Sequence, residues 1–466
     1  MPCSTKQAML IGNPLDNAVS GVAMLAFVPI GRTTFDMAFA QTQNALAQQT
    51  LRAAFADLLV IEPIITDAES LERAIVQLRG SPISLAVIFQ ATFADSSAVV
   101  ALAEALRVPI LLWAVPEPAT GGRLRLNSLC GVNLAAFALK RRALPYTFCY
   151  AAPDSAEAIR AISHAAAAAN ALSLLRSAKI GVIGEHPLGF EPCAYNAESL
   201  HEHFGVHVQP YALDSAFAAA DSVSEARVKA RYADLAARLS NLHELNTAQV
   251  HGTLSFYEAM RDHIAANGLH GLAVRCWPET FLRRDCAVCA SSSLLCDDGI
   301  PATCEADVHG VLTGLILQGV GATATFGADM VAADLEKDTL TFWHCGLAPL
   351  SMCDPNVAPR GALHSNRQRP LLMEFPLKAG RVTVARLTQA GASNGYRLVI
   401  GTGEMLSTPM QFSGTSGVFQ PDSGAAHALQ VIMTEGLDHH FTLAYGDFAE
   451  SLALFAAFAK MPIIRL

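Results

Sequence analysis

Through the first 150 residues, apolar side chains gather in short unbroken runs such as Leu85–Gln90 and Pro109–Val115, with helix-like stretches between them. A strand with one covered face alternates apolar and polar residues. A strand of a parallel sheet, covered on both faces, is apolar throughout. The runs therefore restrict this region to a parallel sheet with helices packed on its two sides. Val22–Pro29, Leu58–Pro63, Leu85–Gln90 and Ile110–Val115 are the expected strands. Met37–Leu59, Asp67–Arg79 and Ser97–Arg107 are the expected helices, and the alternation specifies a doubly wound domain.

A second unit of the same kind starts at the strand Lys179–Glu185. It continues through a helix at Ala197–Phe204, a strand at Gly205–Pro210, helices within Asp221–Asn267 and a strand at Leu272–Cys276. After Pro349 the character changes, with frequent Pro and Gly between the strand-like segments Leu371–Phe375, Arg381–Leu387 and Tyr396–Gly401. A helix at Phe448–Lys460 and a strand at Pro462–Leu466 close the chain. The expected architecture is α/β, with two doubly wound domains, 1–172 and 173–346, followed by a mainly antiparallel β domain, 347–466. A length of 466 residues suits three domains at about 150 residues each.

Composition narrows the partners. With 52% hydrophobic and 16% charged residues, the chain needs large cores or buried subunit interfaces, and a homo-oligomer is expected. The apolar runs fall far short of the roughly 20 residues that cross a bilayer. The Ala-rich stretch His164–Leu175 has polar residues close to both ends and is expected to be a buried helix, so no membrane partner is anticipated. The start, Met1-Pro-Cys-Ser-Thr-Lys, lacks the charged, apolar and small-residue order of a secretory signal. Together with 11 cysteines, an odd number, this predicts a cytoplasmic protein without a disulfide framework. A net charge of −9 without an extended basic run excludes a nucleic-acid footprint, leaving a small molecule as the partner. Cys286 and Cys289 have the spacing of one half of a zinc site, but the cysteines that follow are widely spaced singles, so buried free thiols are the expectation.

Four segments carry metal-competent side chains. Cys304-Glu305-Ala306-Asp307 precedes an apolar helix running through Leu317, which puts Glu305 near a helix N-terminus. Asp329 follows the expected strand Ala322–Phe326, and His344 ends the strand Thr339–His344. His439 and His440 stand side by side in Gly436-Leu437-Asp438-His439-His440-Phe441. Each alone has an ordinary explanation: a helix cap, a turn former, a satisfied histidine. Together they offer carboxylate oxygens and imidazole nitrogens, a set suited to an octahedral divalent ion such as Mn²⁺ with positions left for substrate.

The run Arg275-Cys276-Trp277-Pro278-Glu279, Cys304-Glu305-Ala306-Asp307, Asp329, Trp343-His344-Cys345-Gly346 and His439-His440 resembles the L-fucose/L-arabinose isomerase family. The likeness extends to Gly31-Arg32-Thr33-Thr34-Phe35-Asp36, Phe93-Ala94-Asp95, Trp113–Glu117 and Thr120–Asn127, and so covers most of the chain. The resemblance implies a metal-dependent aldose–ketose isomerase that moves a proton through an ene-diol. It implies Glu305, Asp329 and His440 as metal ligands, with His344 matching a fourth ligand used in the arabinose branch. Glu305 would be the base and Asp329 its helper in proton exchange between the oxygens. Arg32, Asn127 and His439 are the implied substrate contacts, Asn127 in a segment that reaches a neighbouring subunit's site. Phe190, in the loop after the strand Lys179–Glu185, is expected to line the pocket because that loop lies at the ligand-facing end of an α/β sheet. A non-catalytic sugar-binding protein and a metal-dependent aldolase or epimerase are the alternatives. The sugar itself is not specified; an anionic tail such as a sulfonate on a deoxyhexose would suit Arg32, Arg123 and Arg125.

Overall fold

The structure is a computed structural model that describes residues 24–390 and 395–466. The Met1–Lys6 segment and the first two residues of the expected strand Val22–Pro29 lie outside the described residues.

The first sheet is built from β1 (Met24–Ile30), β2 (Leu58–Val60), β3 (Ile83–Gln90), β4 (Ile110–Ala114) and β5 (Tyr146–Tyr150), in the order β2-β1-β3-β4-β5. All its pairings are parallel. Alternate strand residues enter two different cores. Phe27, Val87, Phe89 and Trp113 pack on one side, and Val28, Ala86, Ile88 and Leu112 on the other. The apolar runs arise from this two-sided burial. The expected helix Met37–Leu59 stops at Ala54, because Phe55 turns extended and leads the chain into β2. Asp67 caps the next helix, Ala68–Arg79, by accepting the Ser70 N–H at 2.8 Å. The helix Ser128–Arg141 and strand β5 were not anticipated.

The second sheet is also parallel, with β6 (Lys179–Ile183), β7 (His207–Tyr211), β8 (Gly271–Val274) and β9 (Ala302–Thr303) in the order β7-β6-β8-β9. Between the two sheets runs the helix Ala156–Arg176, which at 21 residues is long and apolar enough by length and composition to cross a bilayer. Here it is a core helix. Ala165, Ala168, Ala169 and Ala171 are buried, and a Cβ at Gly319 would stand 2.5 Å from the Ala171 Cα. That close approach is possible only because residue 319 is glycine.

The remaining strands are β10 (Phe326–Asp334), β11 (Thr339–His344), β12 (Arg360–Ala362), β13 (Leu372–Pro376), β14 (Gly380–Ala390), β15 (Gly395–Leu406), β16 (Thr415–Pro421), β17 (His440–Tyr445) and β18 (Ile463–Arg465). They form a nine-stranded, mainly antiparallel sheet in the order β12-β13-β16-β11-β10-β17-β14-β15-β18. An additional β15–β16 pairing joins its two halves, so the sheet closes as a barrel. The fold is thus two parallel α/β layers followed by an antiparallel, barrel-like domain. One expected strand is displaced. Residues 321 and 322 close the preceding helix, Val308–Gly319, through hydrogen bonds to the Gln318 and Leu317 carbonyls, so β10 begins only at Phe326. Asp329 therefore lies inside a strand.

Candidate active site

The chain between β9 and the helix Val308–Gly319 makes an unusual turn. Glu305 and Ala306 are both left-handed, with φ of 60° and 57°, although neither is glycine. Such a residue costs about 1 kcal/mol or more and persists only where its surroundings impose it. Here the Ala306 N–H is tied to the Val274 carbonyl at 3.1 Å, at the end of β8. Capping of the helix falls to Asp307, whose Oδ1 accepts the Gly310 N–H at 2.9 Å. Glu305 is thereby released from structural duty and turned toward β10 and β17.

Those two strands deliver the other residues. β10 pairs antiparallel with β17 so that Asp329 is the register partner of His440. On its other side Asp329 is opposite Trp343 on β11, next to His344. The His440 Nε2 stands 3.4 Å from the Asp329 Oδ1 and 3.6 Å from the Glu305 Oε2. Asp329, His344 and His440 have ligand atoms within 4.8 Å of one another, and so do Cys193, Glu305, His439 and His440.

The proton on His440 is placed by what lies behind it. Its Nδ1 is 3.0 Å from the Asp307 Oδ2, which has no proton of its own to give, so Nδ1 is the donor and Nε2 carries the lone pair. Asp307 is itself held by Arg386, whose Nη1 and Nη2 reach its two oxygens at 2.6 and 3.1 Å. Nη2 also donates to Asp438 at 2.7 Å. Arg386 is fully buried, at 0% exposure, so it persists as a cation only because two carboxylates face it. Burial alone would raise the Asp307 pKa. The Arg386 charge and the His440 contact overturn that and hold it far below the usual carboxylate range. Arg386, Asp307 and His440 thus form a relay that orients an imidazole lone pair toward Glu305 and Asp329.

The lone pair on His440 faces an oxygen of Asp329 on one side and an oxygen of Glu305, which also meets His439, on the other. The Asp329 Oδ1 is buried without a hydrogen-bond partner. A buried, unpaired carboxylate oxygen is unfavourable on its own. Neighbouring ligand atoms around an octahedral ion with bonds of about 2.1 Å stand about 3.0 Å apart, a little closer than the His440 Nε2 is to the Asp329 Oδ1, at 3.4 Å, or to the Glu305 Oε2, at 3.6 Å. The donor set fits a divalent cation.

His344 differs from His440. Its Nδ1 accepts the Cys345 backbone N–H at 2.8 Å, which leaves the ring proton on Nε2. It enters the cluster as an N–H rather than as a free lone pair. Burial opposes charge on this ring, while Cys345, Asp329 and Glu305 favour it and raise its pKa. His439 sits at a bend just before β17, where strand alternation does not apply. Its ring lies 4.1 Å from that of His440, and its Nε2 is 3.4 Å from the same Glu305 oxygen. That hydrogen bond raises the His439 pKa in spite of partial burial. Burial likewise pushes Glu305 up, but His439, His440 and His344 outweigh it and keep its carboxyl below the usual range.

Phe190 and Trp277 wall the cluster. Phe190 packs edge-on against Trp277 at 5.4 Å and His439 at 5.9 Å, and the Trp277 indole N–H donates to the Glu305 Oε1 at 3.3 Å. Asp307, Asp438 and Arg386 were not identified from the sequence. Arg32 and Asn127 are elsewhere: Arg32 pairs with Asp95 at 3.0 Å, and Asn127 heads the helix Ser128–Arg141 with its N–H on Glu117. Arg32 lines a cavity of about 270 Å³ at the ends of β1 and β3, to which no residue of the cluster contributes. The other two arginines proposed for an anionic tail are also engaged, Arg125 with Asp36 at 2.9 Å and Arg123 with the Thr34 carbonyl. Cys286 and Cys289 do not pair; Cys289 meets Cys345 instead, with sulfurs 3.6 Å apart. Both are free thiols, and Cys304, His344 and Cys345 converge behind the cluster.

Residues 26–176 match the family described as fucose/sulfoquinovose isomerase, N-terminal domain. The sulfoquinovose isomerase of Priestia aryabhattai is 32% identical over 91% of this chain and 95% of its own length. That of Alkalicoccus urumqiensis is 32% identical over 94% of this chain and 98% of its own. That of Clostridium sp. (strain MSTE9) is 30% identical over the same shares, 94% and 98%. With the buried carboxylate–imidazole cluster, these likenesses define the protein as an isomerase. The chain belongs to the fucose/sulfoquinovose isomerase family.

Proposed function

We propose that this isomerase interconverts an aldose and a ketose, that its substrate is a sulfonated deoxyhexose, and that Glu305, Asp329 and His440 hold a divalent ion, Mn²⁺ or a close equivalent. The observation that carries the reading is the convergence of two carboxylates on the His440 lone pair, with the orphaned Asp329 Oδ1 among them. The names of the relatives support the sulfonated sugar. When bound, such an ion supplies the positive charge that stabilises an enediolate as it develops.

The chain's own groups perform the proton transfers. Glu305, ionised at neutral pH, takes the proton from C2 and returns it to C1. Its second oxygen is anchored by the Trp277 indole, which limits the directions in which the carboxylate can swing. Asp329 carries the hydroxyl proton between O2 and O1. Phe190 and Trp277 cover one side and keep water from the carbanion face. His344, with its proton on Nε2, is positioned to donate to a substrate oxygen, or to join the ligands if that proton is lost.

A homo-oligomer in the cytoplasm is part of the proposal. Arg32 and Asn127 lie outside this chain's cluster, so the substrate contacts their family resemblance implies require a second copy. The deciding experiment incubates chelator-treated protein with 6-deoxy-6-sulfoglucose in D₂O, with and without Mn²⁺, and follows the sugar by NMR. Ketose should form only with added metal, carrying deuterium at C1, and deuterium should enter at C2 when the ketose is run back to aldose. Ketose formation of equal rate in the metal-free protein would overturn the reading, as would a cleaved or C2-epimerised product.

A further inference from the structure

Beyond Trp277 stands a guanidinium that the site description has not used. Arg367 lies in the loop between β12 and β13, with its guanidinium carbon 4.9 Å from the centre of the Trp277 ring and 5.2 Å from that of Phe281. The loop is anchored there: the Arg367 N–H donates to the His364 carbonyl at 3.2 Å, and the buried His364 ring packs edge-on against Phe281 at 5.1 Å. Among the described residues, no carboxylate pairs with Arg367 and no side-chain hydrogen bond holds its guanidinium. The neighbouring arginines are engaged, Arg369 by Asp285 and Arg275 by Glu279 at 2.7 Å.

Two aromatic faces fix an arginine in place, but they satisfy none of its five donors. A half-buried guanidinium held this way is a preorganised receptor for an oxyanion, since its planar fork matches two oxygens of one anionic group. The indole under it is the one that donates to Glu305. One aromatic ring therefore links the proton-transfer carboxylate to the unpaired cation. A hexose with C1 and C2 at Glu305 has its far end several bonds away, in keeping with a receptor on the other side of that ring.

We infer that Arg367 is the specificity residue that receives the sulfonate of the substrate, an inference that rests on the sulfonated-sugar reading above. Arg367→Met keeps the aromatic packing and removes the charge, and Arg367→Lys keeps the charge without the fork. For 6-deoxy-6-sulfoglucose, Arg367→Met should raise KM by about tenfold to a hundredfold, the range of a lost charge-assisted pair, while kcat falls far less. Arg367→Lys should recover part of the loss. Bound Mn²⁺ should match wild type in both variants, which separates lost recognition from lost folding. An unchanged KM in Arg367→Met, or a kcat that falls as far as KM rises, overturns the assignment while leaving the proposed function standing. A wild-type protein that does not turn over the sulfonated sugar overturns both.

Discussion

Asp329 and His440 are register partners across β10 and β17, and their Oδ1 and Nε2 atoms stand 3.4 Å apart. The pairing fixes both Cα positions through the barrel's backbone ladder. The site is therefore as rigid as the sheet that carries it. Glu305 comes from a different layer, the end of the second parallel sheet, so the cluster forms only where that sheet meets the barrel.

Glu305→Gln and Asp329→Asn should each lower kcat by about a hundredfold or more, the range of a lost proton-transfer group, without loss of fold. In chelator-treated protein, Asp329→Asn should melt no lower than wild type, because the substitution relieves a buried carboxylate oxygen that has no hydrogen-bond partner. Calorimetry and steady-state rates on the same samples check both parts. Full activity in either variant would remove that carboxylate from the mechanism.

Asp307→Asn should weaken metal binding by about tenfold to a hundredfold, since the Asp307 carboxylate is what keeps the His440 proton on Nδ1. Metal-buffered titrations report this directly. The same carboxyl gives a signed pH effect in chelator-treated protein. Its folded pKa is depressed, so its contribution to stability is present at neutral pH and lost as pH falls below about 4. The stability gap between wild type and Asp307→Asn should therefore narrow on acidification. A gap that widens would contradict the ionised Asp307.

Arg386→Met should destabilise the protein by about 3–5 kcal/mol, because it strands Asp307 and Asp438 as buried anions. Adding Asp438→Asn to that variant should restore part of the loss. Denaturant melts of the single and double variants test the coupling, and simple additivity would show that the two residues do not act as a pair.

Much of this organisation is legible in the sequence. Two-sided burial produces the apolar runs that become β1, β3 and β4, and the pattern from Thr339 to His344 becomes β11 unchanged. Glu305, Asp329, His344 and His440 stand out by residue type and family resemblance, and the structure puts His440 in one group with Glu305 and in another with Asp329 and His344. Their supporting residues were hidden. Asp307 has the appearance of an N-cap, which it also is, and Arg386 that of any arginine in a strand pattern. They lie 79 positions apart, and no local period signals the contact. Arg367 is hidden in the same way, since only the folded loop sets it on Trp277. The clearest available signal was Asp438 beside His439 and His440, a second carboxylate in a segment otherwise read only for its histidines.

If Arg32 and Asn127 serve a neighbour's site, inactive variants should complement each other. Asn127→Ala disables what a subunit gives its neighbour, whereas Glu305→Gln disables its own cluster. Co-expressed from one cell, the two should form mixed assemblies in which some sites are intact, and activity should return to a fraction of wild type. Activity no higher than the sum of the separate variants would place Asn127 outside the shared site.

The adjacent histidines give the sharpest test, because both reach the same Glu305 oxygen, at 3.4 Å from His439 and 3.6 Å from His440. Distance to Glu305 cannot separate them; their other contacts can. His440 is buried, has its second nitrogen occupied by Asp307, and directs its lone pair between two carboxylates. His439 is more open, at 39% side-chain exposure, meets Phe190, and pairs with Glu305 alone. His440→Ala should therefore lose bound metal, while His439→Ala keeps metal stoichiometry and loses substrate affinity or rate. Its raised pKa adds a second signature in chelator-treated protein. The His439–Glu305 contribution to stability is fully present below the ordinary histidine range and fades as pH rises through the folded value. Wild type and His439→Ala should thus converge in stability at alkaline pH. A metal-free His439→Ala, with metal retained in His440→Ala, would exchange the two roles and break the relay from Arg386.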